Sequence, residues 1–155
     1  RDEMDLFKIL DPWAATETTA PPDVWARVNT DTAMWLHALA IAEARSAHGP
    51  TWMYRFDWEA ASPDMGAPHG VDIPFPFTTI DVDGWATFIE DPEQAMSLAS
   101  VIQRSWADFA KDGVPTLGDT DWPAFGSKNR STAIFGRSNT VESDPNGQVR
   151  QAWIT

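Results

Sequence analysis

The chain contains only one segment that strongly indicates a β-strand, and this scarcity limits the folds that it can form. Residues 51–58, TWMYRFDW, alternate strictly and place aromatic side chains at every even position. Residues 133–135 and Val141 suggest one or two further short strands. Because an isolated strand leaves its hydrogen-bonding groups unpaired, these segments cannot form a doubly wound sheet by themselves.

Helices are predicted on both sides of this strand. The spacing of apolar residues predicts one helix over residues 29–48, ended by Gly49–Pro50, and a second over residues 91–111. Asp91 is the predicted N-cap of the second helix and Gly113 its stop. The second helix has a long apolar stripe, formed by Ala95, Leu98, Ala99, Ile102, Trp106, Phe109 and Ala110. The order helix, strand, loop, helix, strand predicts an α/β fold, with helices covering the strands.

We predict that residues 1–155 form one segment of one domain. Residues 1–28 are predicted to be an irregular lead-in in which Pro21–Pro22 marks a loop, and residues 144–155 a fraying tail. The helices, the strands and the loop between them lie in residues 29–143. Since the chain begins with Arg and has few strands, we expect it to be a fragment or a processed product of a longer protein.

Composition excludes several classes of function. The chain has 23 acidic and 11 basic residues and a net charge of −12, the wrong sign for a protein that neutralises a nucleic-acid backbone. No stretch approaches the roughly 18 consecutive apolar residues of a membrane span, so we expect a soluble protein with no membrane partner, in a compartment that the sequence does not indicate. The lack of cysteine excludes disulfides, thiolate metal sites and a cysteine nucleophile.

Three histidines are candidates for chemistry. His37 follows Leu36 within the first helix and is expected to be a surface or boundary side chain, and His48 ends that helix, where a cation complements the helix dipole. His69 differs because it lies in GAPHGVDIPFPF, a loop framed by glycine and proline directly after the strand. Such a loop can fix the backbone and point an imidazole outward, as a general base requires. The alternative is a loop histidine that only bonds a carbonyl group.

Motifs for other chemistries are missing from the sequence. No histidine spacing is typical of a metal site, no glycine-rich motif indicates a nucleotide, and we predict no metal and no cofactor. Ser138, in GRSNT, lacks the second glycine of the G-x-S-x-G nucleophile turn. The nine tryptophans raise the alternative of carbohydrate binding, although core packing accounts for Trp52, Trp58 and Trp106.

Five sequence blocks occur in a characteristic order between about Val28 and Trp153. They are the helix HALAIAEARSAHG, the strand MYRFDW, then GAPHGVDIPFPF, SWADFAKDGVPT and DWPAF. With these blocks the chain resembles the C-terminal part of the type B carboxylesterases, the cholinesterase-like branch of the α/β-hydrolase fold. The resemblance implies a fold in which helices pack on the last strands of a mostly parallel sheet, incomplete as a stand-alone unit.

The resemblance also implies roles for residues. His69 takes the place of the catalytic histidine of a serine esterase, which hydrolyses a small-molecule ester through an acyl-enzyme without a cofactor. Asp72 stands where the family commonly has Glu and is expected to brace the loop, while Trp106, Phe109 and Ala110 belong to the helix beneath the site. The triad order is serine, acid, histidine. Since no serine turn or acid motif precedes His69, we expect both on a preceding N-terminal part.

Two expectations and two alternatives follow. The 155 residues alone should not catalyse, and apolar surface on the strand and helices should make the chain self-associate or require its N-terminal part in trans. One alternative is a hydrolase-like module that binds without catalysis. The other is an aromatic-rich carbohydrate-binding module.

Overall fold

The structure, a computed structural model, describes residues 21–62 and 65–154. It contains an α/β arrangement of three short strands and several helices. In chain order the elements are α1 (Pro21–Thr30), a π-helical turn (Asp31–Trp35), α2 (Leu36–Ser46), β1 (Met53–Phe56), α3 (Pro74–Phe77), a 3-10 turn (Ala86–Phe88), α4 (Pro92–Asp112), β2 (Thr132–Phe135), β3 (Thr140–Glu142) and α5 (Gly147–Ile154). Within the described residues, no helix is long and apolar enough to span a membrane.

The strands form one mixed sheet in the order β1-β2-β3. β1 pairs in parallel with β2, from Met53 opposite Thr132 to Phe56 opposite Phe135. β2 pairs antiparallel with β3. Parallel neighbours require a crossover connection, which α4 supplies between β1 and β2. The predicted strands are confirmed, although β1 is shorter than the predicted 51–58 because its partner strand is only four residues long.

Apolar clusters cover both faces of β1. On one face the ring of Trp52 contacts Phe109 of α4 at 5.9 Å between centroids, and Phe56 contacts Phe75 at 4.9 Å. On the other face Met53 packs against a smaller cluster that includes Leu39 of α2. Alternate side chains of a strand point to opposite faces, so the sequence alternation places β1 between two helical layers. The main cluster consists of Trp58, Phe75, Ile80, Ile89, Ala95, Leu98, Ala99, Ile102, Leu117, Trp122, Ala133 and Phe135.

Helix α4 confirms the prediction made from its end signals. The Asp91 side chain accepts a hydrogen bond from the Gln94 amide at 3.0 Å, and the helix stops at Gly113 with φ of 74°. The first four residues of its predicted stripe are buried. Trp106 and Phe109 are half exposed, at 45% and 51%, so the stripe extends beyond the surface that the described sheet covers.

The prediction for the start of the chain is wrong from residue 21 onward. Pro21 and Pro22 begin α1 instead of marking a loop, and the helix therefore starts eight residues earlier than predicted. Proline is tolerated in the first helical turn because its missing N–H would have no helical partner there. Helix α2, which forms the last part of the predicted helix, ends at Ser46, before His48. Residues 1–20 of the predicted lead-in lie outside the described residues.

The predicted fraying tail is wrong as well, since Gly147–Ile154 forms helix α5. The Arg150 guanidinium, 8% exposed, donates to both carboxylate oxygens of Asp144 at 3.0 and 2.8 Å. The Trp153 indole N–H donates to Asp31 Oδ2 at 2.9 Å. These contacts with earlier parts of the chain hold a segment that local sequence indicates to be irregular.

Candidate active site

His69 occupies a tight turn. The Pro68 carbonyl accepts a hydrogen bond from the Val71 amide at 3.2 Å, which makes His69 the second residue of the turn and Gly70 the third. Gly70 has φ of 84°, a conformation that side chains disfavour and glycine adopts readily. The side chain of Val71 is buried and anchors the turn. The geometry of the turn therefore explains why glycine follows histidine. Gly70 adopts the positive φ at the bend, and His69 keeps its side chain on the outside.

The turn continues into a short, buried helix. The Ile73 amide donates to the Gly70 carbonyl and the Phe75 amide to the Asp72 carbonyl, both at 3.1 Å. Phe75 is fully buried, and its ring lies 5.6 Å from that of Trp58, just after β1. This packing fastens the turn near the carboxyl end of β1, the end of parallel strands where α/β proteins place their functional groups.

The imidazole of His69 is exposed and lies at the wall of a cavity of about 780 Å³. It forms no hydrogen bond with any other described residue. The interpretation as a loop histidine that only bonds a carbonyl group thus has no support in the described part of the chain.

The cavity runs along the edge of β1 that β2 does not occupy. All five residues from 52 to 56 line it, and since neighbouring side chains point to opposite faces, a space that touches them all must follow the strand's edge. No other described strand pairs with this edge. The remaining walls come from the first helices, the residue before Trp52, the His69 turn, the first residue of β2 and the turn before α5: Arg27, Thr30, Asp31, Met34, Trp35, Ala38, Ile41, Ala42, Arg45, Thr51, Ala67, Pro68, Gly70, Val71, Asp72, Thr132, Pro145 and Asn146.

Tyr54 and Asp72 share this cavity with His69. Burial raises the pKa of the Tyr54 phenol, and the negative charge of Asp72 raises it further, so the phenol stays neutral. The Tyr54 ring is held by Phe135 at 5.6 Å and by Trp106 at 6.5 Å. Sequence reasoning missed Tyr54 as a site residue because the alternation marked it only as a core aromatic.

Asp72 contributes to the loop in a different way from the expected one. Its main-chain carbonyl accepts the hydrogen bond from Phe75, while its side chain forms none with the described residues. The carboxylate acts instead on Tyr54 through its charge. The expected bracing of the loop therefore comes from the backbone of Asp72, and the side chain sets the electrostatics of the cavity.

The positive charge of Arg55, which lines the cavity, is paired with the neighbouring carboxylate of Asp57. Arg55 Nε and Nη2 donate to the two carboxylate oxygens of Asp57 at 2.7 and 2.6 Å. This bidentate hydrogen bonding is the main cause that raises the pKa of Arg55, so the guanidinium stays charged. The one basic side chain of β1 is thus paired with its neighbour.

The other sequence candidates lie elsewhere. His37 is exposed on α2, His48 follows the end of that helix, and neither lines the cavity. Ser138 is exposed between β2 and β3, also away from the cavity. Among the described residues, no three His, Asp or Glu side chains lie close enough together to hold a metal ion.

A parallel strand, a histidine turn at its carboxyl end and helices on both faces define this chain as part of an α/β-hydrolase fold, as solved relatives confirm. A carboxylesterase from Geobacillus stearothermophilus superposes on 94% of this chain with a TM-score of 0.81 and 29% identity, and a para-nitrobenzyl esterase on 86% with a TM-score of 0.78 and 34% identity. This chain covers 31% and 28% of those structures.

Sequence comparison identifies the family. The profile of the carboxylesterase family matches residues 13–153, so the chain belongs to that family. It is 37% identical, over 123 residues, to the para-nitrobenzyl esterase of Bacillus subtilis strain 168. That match includes 79% of this chain and 25% of the esterase, so the chain spans about a quarter of the length of this relative.

Proposed function

We propose that this chain is the C-terminal part of a carboxylic ester hydrolase and supplies its catalytic base, His69. The observation that carries the proposal is the exposed imidazole on a hydrogen-bonded turn, without a hydrogen-bond partner of its own among the described residues, facing the cavity beside β1. The serine nucleophile, the triad acid and the oxyanion donors would come from polypeptide outside these 155 residues. Membership in the carboxylesterase family supports this assignment.

In the proposed reaction neutral His69 accepts the proton of the serine hydroxyl while that oxygen attacks the ester carbonyl. The imidazolium then returns the proton to the leaving alcohol, and an acyl-enzyme remains. Water repeats the sequence: His69 takes its proton, the acyl group leaves as the acid, and the serine is restored. Histidine suits both steps because its charge changes near neutral pH. The route requires neither a metal nor an organic cofactor.

The two edges of the sheet support the position of the missing polypeptide. The outer edge at β3 is short and polar, with Thr140 and Glu142 exposed, as protected edges are. β1 has no proline, and the charge of Arg55, which could block the edge, is paired with Asp57. Helical layers cover both faces of β1, the usual setting of an inner strand of a parallel sheet. We infer that the sheet continues past β1, where the cavity lies.

A chimaera tests this function. This chain would replace the corresponding quarter of the Bacillus subtilis para-nitrobenzyl esterase, and hydrolysis of p-nitrophenyl acetate would be measured. We expect an active chimaera in which His69→Gln lowers kcat by about a thousandfold or more. His37→Gln is the matched control because His37 is exposed and does not line the cavity. A folded His69→Gln chimaera that keeps full activity would refute the proposal.

The non-catalytic alternatives remain predictions that the same reagents distinguish. A module that only binds would retain ligand binding and lose nothing when His69 is replaced. A carbohydrate-binding module predicts that oligosaccharides quench tryptophan fluorescence. Trp58 and Trp122 are buried in the main core cluster, which leaves them no face for a sugar.

A further inference from the structure

The segment that carries His69 ends at a strained residue. Thr78 has φ of 52° and ψ of 44°, the left-handed conformation that β-branched residues rarely adopt. Such a conformation persists only where the surroundings determine it. The Thr78 amide donates to the Phe75 carbonyl at 3.2 Å, and the Thr79 amide to the Pro74 carbonyl at 3.0 Å. These bonds close the last turn of α3 around Thr78.

One side chain from another element holds this end. Gln103, on α4, donates from Nε2 to the Pro76 carbonyl at 3.1 Å and also to the Thr78 hydroxyl. A helix as short as α3 leaves its last carbonyl groups without helical partners, so a donor from outside has a specific place to bind. Gln103 thereby joins the end of the His69 segment to the longest helix of the described fold.

The hydrogen bonds of the segment are consecutive from Pro68 to Thr78. They link the carbonyl and amide of residues 68 and 71, 70 and 73, 72 and 75, and 75 and 78. Phe75, fully buried against Phe56 and Trp58, fixes the middle of this series. His69 lies at the free, exposed end and Gln103 holds the opposite end.

We propose that Gln103 is a positioning residue for His69. It acts through residues 68–79, which it holds against α4 so that the turn presents the imidazole to the cavity at a fixed place. The proposal rests on the proposed function in taking His69 as the base. The structural part of the proposal can be measured without catalysis. It states that the conformation of the His69 turn depends on a glutamine 34 positions away in sequence.

The test compares Gln103→Leu with the unsubstituted sequence by NMR in the chimaera described above, with only these 155 residues isotope-labelled by segmental ligation, because the isolated chain is expected to self-associate. The chain has three histidines, so the imidazole signals of His37 and His48 serve as internal references for that of His69. We expect the His69 signal to shift or broaden and the references to stay unchanged. We also expect the hydrogen-bonded amides of residues 71–79 to exchange with solvent about three- to tenfold faster, the effect of losing an ordinary hydrogen bond.

Two further variants make the result specific. Gln94→Leu is the matched control, because Gln94 is also on α4 but bonds Arg137 instead of the His69 segment. Gln103→Lys retains donors of similar reach and should restore slow exchange. Thr78→Val, which removes only the acceptor hydroxyl, should reproduce part of the effect and serves if Gln103→Leu does not fold.

Two outcomes would overturn the proposal. One is an unchanged His69 signal and unchanged exchange at residues 71–79 in both Gln103→Leu and Thr78→Val. The other is an equal change in Gln94→Leu, which would indicate a general loosening of α4. Failure of the proposed function would appear separately, as a His69→Gln chimaera with full activity. The NMR result could still be interpreted in that case.

Discussion

Tyr54 shows how a single side chain connects the core to the candidate site. Its ring contacts Phe135 and Trp106, while its phenol shares the cavity with Asp72 and His69. Burial, and then the charge of Asp72, favour the neutral phenol. At neutral pH Tyr54 therefore presents a hydroxyl to the cavity, able to donate or accept a hydrogen bond.

Tyr54 is the only tyrosine of the chain, so its ionisation can be measured directly. In a titration followed at about 295 nm, we expect one tyrosinate transition with a midpoint above the ordinary pKa of 10.0. Asp72→Asn should lower the midpoint without returning it fully, because burial is the larger cause. Asp83→Asn, at an exposed position, is the control. An unchanged midpoint in Asp72→Asn would contradict this assignment.

The raised pKa of Tyr54 also predicts how the stability of the fold changes with pH. The folded state holds the phenolic proton more tightly than the unfolded state, so its contribution to stability is complete below pH 10 and is lost as the pH rises through the folded pKa.

At the scale of elements, α5 depends on contacts far away in sequence. Asp31 is 3% exposed in the π-helical turn between α1 and α2, and its carboxylate accepts the Trp153 indole N–H. Arg150 of the same helix is paired with Asp144 at the start of the preceding turn. A buried carboxylate that loses a donor is destabilised, so these polar contacts fix where α5 docks.

We expect Trp153→Phe to lower the free energy of unfolding by about 1–3 kcal/mol, because the ring is retained and only the indole donor to a buried carboxylate is lost. Urea denaturation, followed by far-UV circular dichroism, measures the change. Trp25→Phe is the matched control, since Trp25 is 69% exposed, and should change stability by less than about 0.5 kcal/mol. Equal effects of the two substitutions would show that the Asp31 contact is not the cause.

At the scale of the whole molecule, the described fold leaves apolar surface uncovered. Ile41 on α2 and Phe77 at the end of α3 are each 70% exposed, and Tyr54, on the open strand, is 40% exposed. Large apolar side chains exposed to this extent are typical of surfaces that another part of a protein covers. The proposed continuation of the sheet past β1 would cover the part of this surface that includes Tyr54.

The isolated chain should therefore self-associate. Light scattering coupled to size-exclusion chromatography should show a mass that increases with protein concentration, because apolar surface is removed from water when chains meet. Detergent below its micellar concentration should reduce the effect. A mass that stays that of the monomer at every protein concentration would contradict this prediction.

We also expect the isolated chain to be catalytically inert. Without a serine turn or oxyanion donors, His69 has no hydroxyl to deprotonate, and loss of triad members removes several orders of magnitude in rate. The chain would be incubated with p-nitrophenyl acetate and with a serine-directed phosphonate, and analysed by mass spectrometry. Denatured chain is the control for non-specific labelling. Stoichiometric labelling of one serine in the folded chain alone would disprove the expectation.

Local signals made part of this structure predictable. Helix α4 has a capping Asp91, a proline in its first turn and a stopping Gly113, and all of these act within a few residues. Pro21–Pro22 was ambiguous, since proline pairs suit both a loop and a first helical turn. Helix α5 is not predictable from local sequence because one of its two polar anchors, Asp31, is 122 positions away from Trp153. His69 could be singled out, but the cavity beside it is built by elements that local sequence does not connect.

The hydrogen bond between Asp31 and Trp153 has a consequence for the order of folding. It joins residues 122 positions apart, and the entropic cost of closing a loop rises with its length. A chain would gain little from this contact until the intervening sheet has shortened the path between its ends. We therefore expect the last helix to dock late in folding, after the sheet has formed.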